Sequence, residues 1–301
     1  MSVECGGIPM TTDVSDLSPA ARLRVQLATG EPVIAPGVPD PLAARIAGEL
    51  GFSNVYVSGA ATSALQGYPD MGLLELGDLT RSVRAIAAAS DAAPIVDLDT
   101  GFGGAVMIRR ALREMAAAGA AAVHIEDQPE ARRCGYLTDQ PSVEIPVMLE
   151  RIRAALASGT DVVVIARTDA LLVSGLDEAI MRVQAYAAAG AEMVKVNGIQ
   201  TLDQLERISA EVDVGLLYNV SGSDRSPRIT KAQARELGVA IIIYPIHVSR
   251  AAVSSARQVL GALSRDEDPA SVPMEPFESW MELSGWSEAA TFEESVGQRS
   301  R

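Results

Sequence analysis

The chain has 301 residues, a formal net charge of −14 and only 4% aromatic residues. This length suits one α/β barrel, which takes roughly 250 residues, with short extensions. The negative charge and the lack of a basic block would repel nucleic-acid phosphates and anionic membrane surfaces. The composition therefore excludes nucleic acid and membrane as expected partners.

The two cysteines and the start of the sequence indicate the compartment. Cys5 lies in a polar stretch and Cys134 in a candidate loop, so we expect no structural disulfide and a reducing environment. Residues 1–30 lack a basic start followed by an apolar run, and no stretch reaches the roughly 18 apolar residues that a membrane helix needs. The sequence therefore predicts a cytoplasmic protein.

From residue 33 to about 262, short β-branched runs alternate with Ala-rich amphipathic segments, the rhythm of repeated βα units. The predicted strands are residues 33–37, 54–58, 94–99, 121–126, 161–167, 192–197, 214–219 and 240–244. The predicted helices are residues 42–50, 78–90, 106–118, 145–156, 177–189, 202–210, 231–237 and 248–263. Eight such units predict an α/β fold, a (β/α)₈ TIM barrel.

The alternative fold is an open doubly wound sheet, which usually carries a Gly-rich dinucleotide loop after its first strand. Val-Pro-Asp-Pro follows the first predicted strand instead, which favours the barrel. We divide the chain into an N-terminal segment at 1–32, the barrel at 33–263 and a C-terminal helical arm at 264–301. The arm contains Trp280, Trp286 and Phe292, whose apolar side chains either pack on their own barrel or dock on a neighbouring subunit.

Acidic residues close two neighbouring predicted strands. Asp97 and Asp99 end the third strand, and Glu126 ends the fourth. Alternation along a strand places Asp97 and Asp99 on one side, and polar residues at strand carboxyl ends converge on the active-site mouth of a barrel. Three clustered carboxylates predict a hard divalent cation such as Mg²⁺, with Mn²⁺ as a substitute; ion pairing with arginines is the alternative.

Other polar residues fall at the same mouth. Arg167 and Asp169 close the fifth strand, Asn197 the sixth and Asn219 the seventh. His124 precedes Glu126 by two residues and is either a hydrogen-bonded barrel histidine or a metal ligand. No Cys/His spacing indicates zinc.

The segment Arg132-Arg133-Cys134-Gly135 forms a polar loop after the fourth strand. Two adjacent guanidinium groups are expected to lower the pKa of the Cys134 thiol and to make it a proton donor or nucleophile. A loop cysteine without a role is the alternative.

Six motifs together resemble the isocitrate lyase and phosphoenolpyruvate mutase superfamily, especially its methylisocitrate-lyase-like branch. The resemblance runs from about residue 33 to the C-terminus. The motifs are Val-Tyr-Val-Ser-Gly-Ala-Ala at 55–61, Gly-Tyr-Pro-Asp-Met-Gly at 67–72, Asp-Leu-Asp-Thr-Gly-Phe-Gly at 97–103, His-Ile-Glu-Asp-Gln at 124–128, Arg-Arg-Cys-Gly at 132–135 and Ala-Arg-Thr-Asp-Ala at 166–170.

The resemblance implies a role for each matched residue. Asp97 would bind Mg²⁺ directly, while Asp70, Asp99 and Glu126 would hold its waters. Tyr56 would act as the base and Cys134 as the acid, and Arg167 would be a third catalytic residue that adds positive charge. The remaining residues that we assign to the substrate site are Ser58, Gly59, Ala60, Arg133, Gly135, Asn197, Asn219 and Arg228. The tail at 280–286 resembles terminal helices that swap between barrels in tetramers, so we expect a homo-oligomer.

Three departures from the family pattern affect the expected substrate. Tyr136 replaces the histidine that usually follows the Cys-Gly pair, Asn197 replaces a glutamate, and Lys195 and Arg228 add cations. The expected function is a Mg²⁺-dependent carbon–carbon lyase that cleaves a 2-hydroxy di- or tricarboxylate, similar to methylisocitrate or dimethylmalate, into a 2-oxo acid and a carboxylate through an enolate. The alternatives are a phosphonate enzyme, such as a carboxyphosphonoenolpyruvate or phosphonopyruvate mutase or hydrolase, and a binding barrel without catalysis.

Overall fold

The computed structural model describes residues 16–136, 139–222 and 225–298. Cys5 therefore lies outside the described residues. Eight parallel strands form one sheet in the order β1-β8-β7-β6-β5-β4-β3-β2. The strands are β1 (Val33–Pro36), β2 (Asn54–Val57), β3 (Ala93–Asp97), β4 (Ala122–Glu126), β5 (Val163–Thr168), β6 (Met193–Val196), β7 (Gly215–Asn219) and β8 (Val239–Tyr244).

A short contact between β1 and β2 completes the ring. Gly37 forms an isolated parallel bridge with Tyr56, and the Val38 amide donates to the Tyr56 carbonyl at 3.0 Å. A Cβ atom at Gly37 would collide with the carbonyl of Pro245, so this close approach requires glycine. The predicted TIM barrel is therefore confirmed, and each predicted strand is found within two residues of its expected bounds.

Helices cover the outside of the ring. The helices are α1 (Pro19–Leu27), α2 (Pro41–Glu49), α3 (Gly59–Leu65), α4 (Leu76–Ala89), α5 (Ala105–Ala117), α6 (Ile145–Leu156), α7 (Leu171–Ser174), α8 (Leu176–Ala188), α9 (Leu202–Ala210), α10 (Lys231–Glu236), α11 (His247–Ser264), α12 (Phe277–Leu283) and α13 (Trp286–Gln298). Several begin at side-chain caps: Asp40 accepts from the Ala43 amide at 2.8 Å, and Thr201 and Gln204 form a capping box. No helix in the described part of the chain is long and apolar enough to cross a membrane.

The apolar core has two layers. An outer layer packs the strands against the helices, and an inner layer fills the barrel with side chains such as Ile95, Ile165 and Leu217. Helix α1 joins the inner layer through Ala20 and Leu23 and lies at the amino end of the strands. There Arg24 forms two 2.7 Å hydrogen bonds with Glu192. Because α1 fills the amino end of the barrel, the candidate site is formed by the polar strand ends at the opposite mouth.

Candidate active site

The acidic cluster lies at the carboxyl ends of β3 and β4, as predicted. Asp97, Asp99 and Glu126 are all buried, and one oxygen from each lies within 4.8 Å of the others. Asp99 has a φ of 50°, a conformation that aspartate tolerates better than most residues. Within the described residues, Asp99 Oδ1 and Glu126 Oε2 accept no hydrogen bond of good geometry, although Arg132 and Arg167 lie within ion-pair distance of them. Hard oxygen donors at this spacing fit a divalent cation.

Arg132 neutralises the cluster from the loop after β4. Its Nε donates to Glu126 Oε1 at 2.7 Å, its Nη1 lies 3.3 Å from Asp99 Oδ1, and the same nitrogen pairs with Asp70. The guanidinium is almost fully buried. Burial alone lowers its pKa, but the carboxylates of Glu126 and Asp99 raise it above the usual range. The cation site and the ion pairs weighed as alternatives from the sequence therefore use the same carboxylates.

Arg167 at the end of β5 bridges the acidic cluster to the next strands. Its Nη1 lies 2.8 Å from Glu126 Oε2, and its Nη2 pairs with Asp169 at 3.0 Å. Burial raises the pKa of Glu126 to about 7, although Arg167 and Arg132 act in the opposite direction. Burial also favours the neutral form of Asp97, but the positive charges around it, among them that of Arg167, bring its pKa below the ordinary value. The charges of these side chains therefore depend on one another.

Tyr56, His124 and Asp97 lie next to one another in the buried part of the mouth, and the Tyr56 hydroxyl lies 3.4 Å from Asp97 Oδ2. The Tyr56 hydroxyl lies 2.6 Å from His124 Nε2, and His124 Nδ1 lies 3.4 Å from Asp97 Oδ1. Burial raises the pKa of Tyr56 and lowers that of His124, so the hydroxyl is protonated and the imidazole neutral. His124 is thus a hydrogen-bonded barrel histidine in this structure, and the metal-ligand alternative is not needed to explain it.

The start of α3 faces the same carboxylates. The Gly59 amide lies 3.4 Å from Asp97 Oδ2, and the Ser58 hydroxyl accepts from the Ala61 amide at 3.4 Å. A Cβ atom at Gly59 would lie 3.0 Å from Asp99 Oδ1. The start of α3, including Ser58 and Gly59, therefore lies beside the acidic cluster.

A cavity of about 340 Å³ opens at this mouth. Of the residues assigned from the sequence, it brings together Tyr56, Ser58, Ala60, Asp70, Asp97, Cys134, Gly135, Arg167, Asn197 and Asn219. Arg133 and Arg228 are exposed and do not line it. Gly135 packs so closely that a Cβ atom there would lie 2.5 Å from Asn197 Nδ2 and 2.7 Å from Asp169 Oδ1.

The prediction that neighbouring guanidinium groups lower the pKa of Cys134 is wrong. Burial raises the pKa of this half-buried thiol, and Asp70 acts in the same direction, whereas the Tyr136 backbone and the charge of Arg167 lower it by less. Arg132 is paired with carboxylates, and Arg133 is exposed. The Cys134 amide donates to the Asp70 carbonyl at 3.0 Å, which fixes the loop above the site. A protonated thiol facing the cavity is suited to give up a proton.

Several polar cavity-lining residues were not assigned as site residues from the sequence, among them Lys195, Tyr136, Ser221 and Arg250. Lys195 and Tyr136 were noted as departures, and alternation along β6 could have placed Lys195 on the same face as Asn197. The Tyr136 hydroxyl accepts from Asn219 Nδ2 at 3.1 Å. Ser221 lies in the loop after β7, where no periodicity indicates which side chains face the cavity. Arg250 lies near the start of α11, after β8.

Asp127, directly after Glu126, has a structural role. It accepts from Thr168 Oγ1 at 2.6 Å, Tyr186 Oη at 2.8 Å and the Asp169 amide at 3.0 Å. These bonds tie the ends of β4 and β5 to α8. Neighbouring carboxylates in the sequence therefore serve different purposes.

Comparison with known proteins gives concordant matches. The sequence model of the family described as phosphoenolpyruvate phosphomutase matches residues 23–264. The chain is 36% identical over 242 residues to a 2-methylisocitrate lyase of Aeropyrum pernix, which covers 80% of this chain and 79% of that protein.

Two solved structures show the same fold. The structure of 2,3-dimethylmalate lyase, a PEP mutase/isocitrate lyase superfamily member, matches with a TM-score of 0.87 and 33% identity over 93% of this chain and 96% of the other. Phosphonopyruvate hydrolase in complex with oxalate and Mg²⁺ matches with a TM-score of 0.83 and 31% identity over 92% of this chain and 98% of the other.

Proposed function

The chain belongs to the phosphoenolpyruvate mutase/isocitrate lyase superfamily, and we propose that it is a Mg²⁺-dependent carbon–carbon lyase that cleaves a 2-hydroxy di- or tricarboxylate. The observation that carries this proposal is the shared cavity, which Asp97 and the Cys134 thiol both line. A site for a cation and a proton donor are the two elements that enolate formation and quenching require. The relatives named as 2-methylisocitrate lyase and 2,3-dimethylmalate lyase support the same reaction class.

Asp97 would bind the cation, and Asp70, Asp99 and Glu126 would hold its waters. Bound there, Mg²⁺ supplies positive charge that stabilises a developing enolate; Mn²⁺ would substitute. Ser58 and the amides of Gly59 and Ala60 would bind the carboxylate next to the reacting carbon. Arg167 adds a fixed positive charge beside Glu126, 2.8 Å away. These groups orient the substrate before any bond breaks.

Tyr56 would receive the proton of the substrate hydroxyl. Because the Tyr56 hydroxyl is itself protonated and lies 2.6 Å from His124 Nε2, its own proton would pass to the imidazole in the same step. The C2–C3 bond then breaks to leave a 2-oxo acid and a carboxylate enolate. Cys134 gives its thiol proton to the enolate carbon, so the substrate moves one hydrogen from oxygen to carbon. After product release, the imidazolium loses its extra proton to water and the thiolate regains one from water, which restores the starting enzyme.

The loop at 132–136 would close the site over the substrate. Gly135 already lies against Asn197, and Asn219 contacts Tyr136 at 3.1 Å. We assign these residues, with Arg133 and Arg228 recruited on closure, to the substrate site. Closure would exclude water from the enolate, which prevents its premature protonation.

A mass-spectrometric screen tests the proposed reaction. The protein with Mg²⁺ is incubated with 2-hydroxy acids, 2-oxo acids and phosphonopyruvates, and we expect a new 2-oxo acid from a 2-hydroxy di- or tricarboxylate. Activity that persists in EDTA would exclude the cation. No product from any compound would instead favour the non-catalytic barrel.

The second candidate is a phosphonate enzyme of the same superfamily. It is favoured by the family description as phosphoenolpyruvate phosphomutase and by the likeness to phosphonopyruvate hydrolase. Phosphorus-31 NMR separates the two functions, because a carbon–carbon lyase leaves phosphonates unchanged.

The C-terminal arm would dock on a second copy of the chain in a homotetramer, in the cytoplasm. Trp286 is 60% and Phe292 70% exposed, and both follow the barrel in α13. Apolar side chains of this size are usually covered in a working assembly. Light scattering on the full chain should give a tetramer, and Trp286→Glu should reduce its mass. A monomeric wild type would contradict this assembly.

A further inference from the structure

Lys195 is a buried lysine inside the barrel mouth. Only 2% of its surface is exposed, and it lines the cavity from the middle of β6. Its Nζ lies 3.4 Å from His124 Nε2 and 5.8 Å from the centre of the Tyr56 ring. No described carboxylate lies within ion-pair distance of Nζ. A buried ammonium without an anion is unfavourable, so this position needs an explanation other than stability.

The residues in register with Lys195 on the neighbouring strands change from acidic on β4 to basic on β5 and β6. Glu126 on β4 is in register with Arg167 on β5, which in turn is in register with Lys195 on β6. Arg167 is already neutralised by Glu126 and Asp169, at 2.8 and 3.0 Å. The acidic half of the mouth would hold a cation, whereas the β6 side presents an amine that has no ion-pair partner among the described residues.

Asn197 adds a donor on the same side of the cavity. It is two residues after Lys195, is buried, and also lines the cavity. Its Nδ2 has no hydrogen-bond acceptor among the described residues, while its Oδ1 accepts from Asn219 Nδ2 at 3.4 Å. An ammonium and an unpaired amide N–H at one wall are complementary to an anion.

We propose that Lys195 and Asn197 form a subsite for a second carboxylate of the substrate, opposite the acidic cluster. The inference rests on the proposed function for its orientation: the 2-hydroxy acid end lies at Asp97, and the far carboxylate lies at β6. This subsite would select substrates that have two carboxylates in a 1,4 relationship over substrates that have only one carboxylate. A bound carboxylate would give Lys195 an ion-pair partner and would accept a hydrogen bond from Asn197 Nδ2.

The pKa of Lys195 agrees with this arrangement. Burial, and then the charge of Arg167, lower it to about 7 in the ligand-free protein. A carboxylate at the subsite favours the charged ammonium and raises that pKa again. Ligand binding therefore restores a charge that burial disfavours.

Binding of three small probes in the presence of Mg²⁺ tests the subsite without turnover. Oxalate has no far carboxylate, malate has one, and malamic acid carries an uncharged amide at the far position. Wild type should bind malate about 10- to 100-fold more tightly than malamic acid, the range of a charge-assisted hydrogen bond. In Lys195→Met this preference should disappear. Oxalate affinity should change less than about threefold, because oxalate has no far carboxylate to hydrogen-bond with Lys195.

Lys231 provides the matched control. It is the only other lysine, lies exposed at the start of α10, and does not line this cavity. Lys231→Met should retain the malate preference. Should Lys195→Met not fold, Asn197→Asp takes its place, because the new carboxylate would occupy the lysine and repel malate.

Two outcomes would overturn the subsite. One is an unchanged preference for malate in Lys195→Met; the other is an equal loss of oxalate binding, which would assign Lys195 to the acidic end. Failure of the lyase proposal is seen separately, as the absence of cleavage products in the mass-spectrometric screen. The binding result and the reaction result can therefore fail independently.

Discussion

Arg132 Nε donates to Glu126 Oε1 at 2.7 Å, so a loop guanidinium supplies positive charge to the cluster of carboxylates at the barrel mouth. The same side chain also pairs with Asp70 and Asp99. A cation bound by these carboxylates would compete with Arg132. The ion pairs of Arg132 therefore couple the position of its loop to whether a cation is bound at the acidic cluster.

Replacing Arg132 by Met should destabilise the metal-free protein and increase its stabilisation by Mg²⁺. Removing one partner from a buried ion pair costs about 3–5 kcal/mol, and Mg²⁺ then meets no competing guanidinium. Thermal unfolding in EDTA and in Mg²⁺ measures both effects. Arg133→Met, next to it but exposed, is the control and should unfold like wild type. A smaller Mg²⁺ response in Arg132→Met would contradict the competition.

Substitution of Cys134 by Ser should lower kcat by about 10²- to 10⁴-fold, the usual contribution of a positioned acid. The hydroxyl occupies the same place but is a much weaker acid than the thiol. Titration with oxalate and Mg²⁺ should give wild-type affinity, because the proposed role of the thiol is to protonate the enolate and not to hold the cation or a carboxylate. Full turnover in Cys134→Ser would show that another group protonates the enolate.

Glu126 and Asp127 should respond differently to the loss of one charge. Glu126→Gln should weaken Mn²⁺ binding, measured by electron paramagnetic resonance, because the cluster loses a charge. Asp127→Asn should instead lower the free energy of unfolding by about 3 kcal/mol, since buried donors such as Thr168 and Tyr186 lose an acceptor. Equal effects of the two variants on Mn²⁺ affinity would refute this division.

Gly135→Ala should reduce activity with little effect on stability. The added methyl group would overlap Asn197 and Arg167 and displace the loop from the cavity, and small displacements of catalytic groups cost about 10²-fold in rate. Gly104→Ala, where an added Cβ meets nothing within 4 Å, is the control. Kinetics of both variants, with unfolding curves, make the comparison.

The stability gap between Lys195→Met and wild type should depend on pH. Burial lowers the folded-state pKa of Lys195 from 10.5 to about 7, so between these values the unfolded chain binds more protons than the folded one. Wild-type stability relative to the variant must therefore rise as the pH increases from 7 towards 10. Below pH 7 the buried lysine is charged, and its full cost to the free energy of unfolding of the wild type, on the order of a few kcal/mol, is present. Urea unfolding across this range, without ligand, measures it; a constant gap would indicate an unperturbed lysine.

The strands and the acidic cluster could be predicted because both follow from alternation. Asp97 and Glu126 end runs of buried β-branched residues, and such ends meet in any parallel barrel. Helix α1 was not predicted, because its short polar sequence is stabilised by tertiary contacts such as those of Arg24. The pKa of Cys134 could not be predicted from the adjacent arginines, since it depends on burial and on Asp70 and Arg167, which are distant in the sequence.

The position of α1 has a consequence for the order of folding. Its partners are distant in sequence: Arg24 bonds Glu192, and Ser18 bonds Asp161, across separations of 168 and 143 residues. The helix leaves the ribosome before any strand of the barrel, yet its binding surface exists only after the ring has formed. Such long-range contacts form late and slow the folding rate. Docking of α1 should therefore be the last step of barrel assembly. A helix that precedes every strand in the sequence would then complete the inner core.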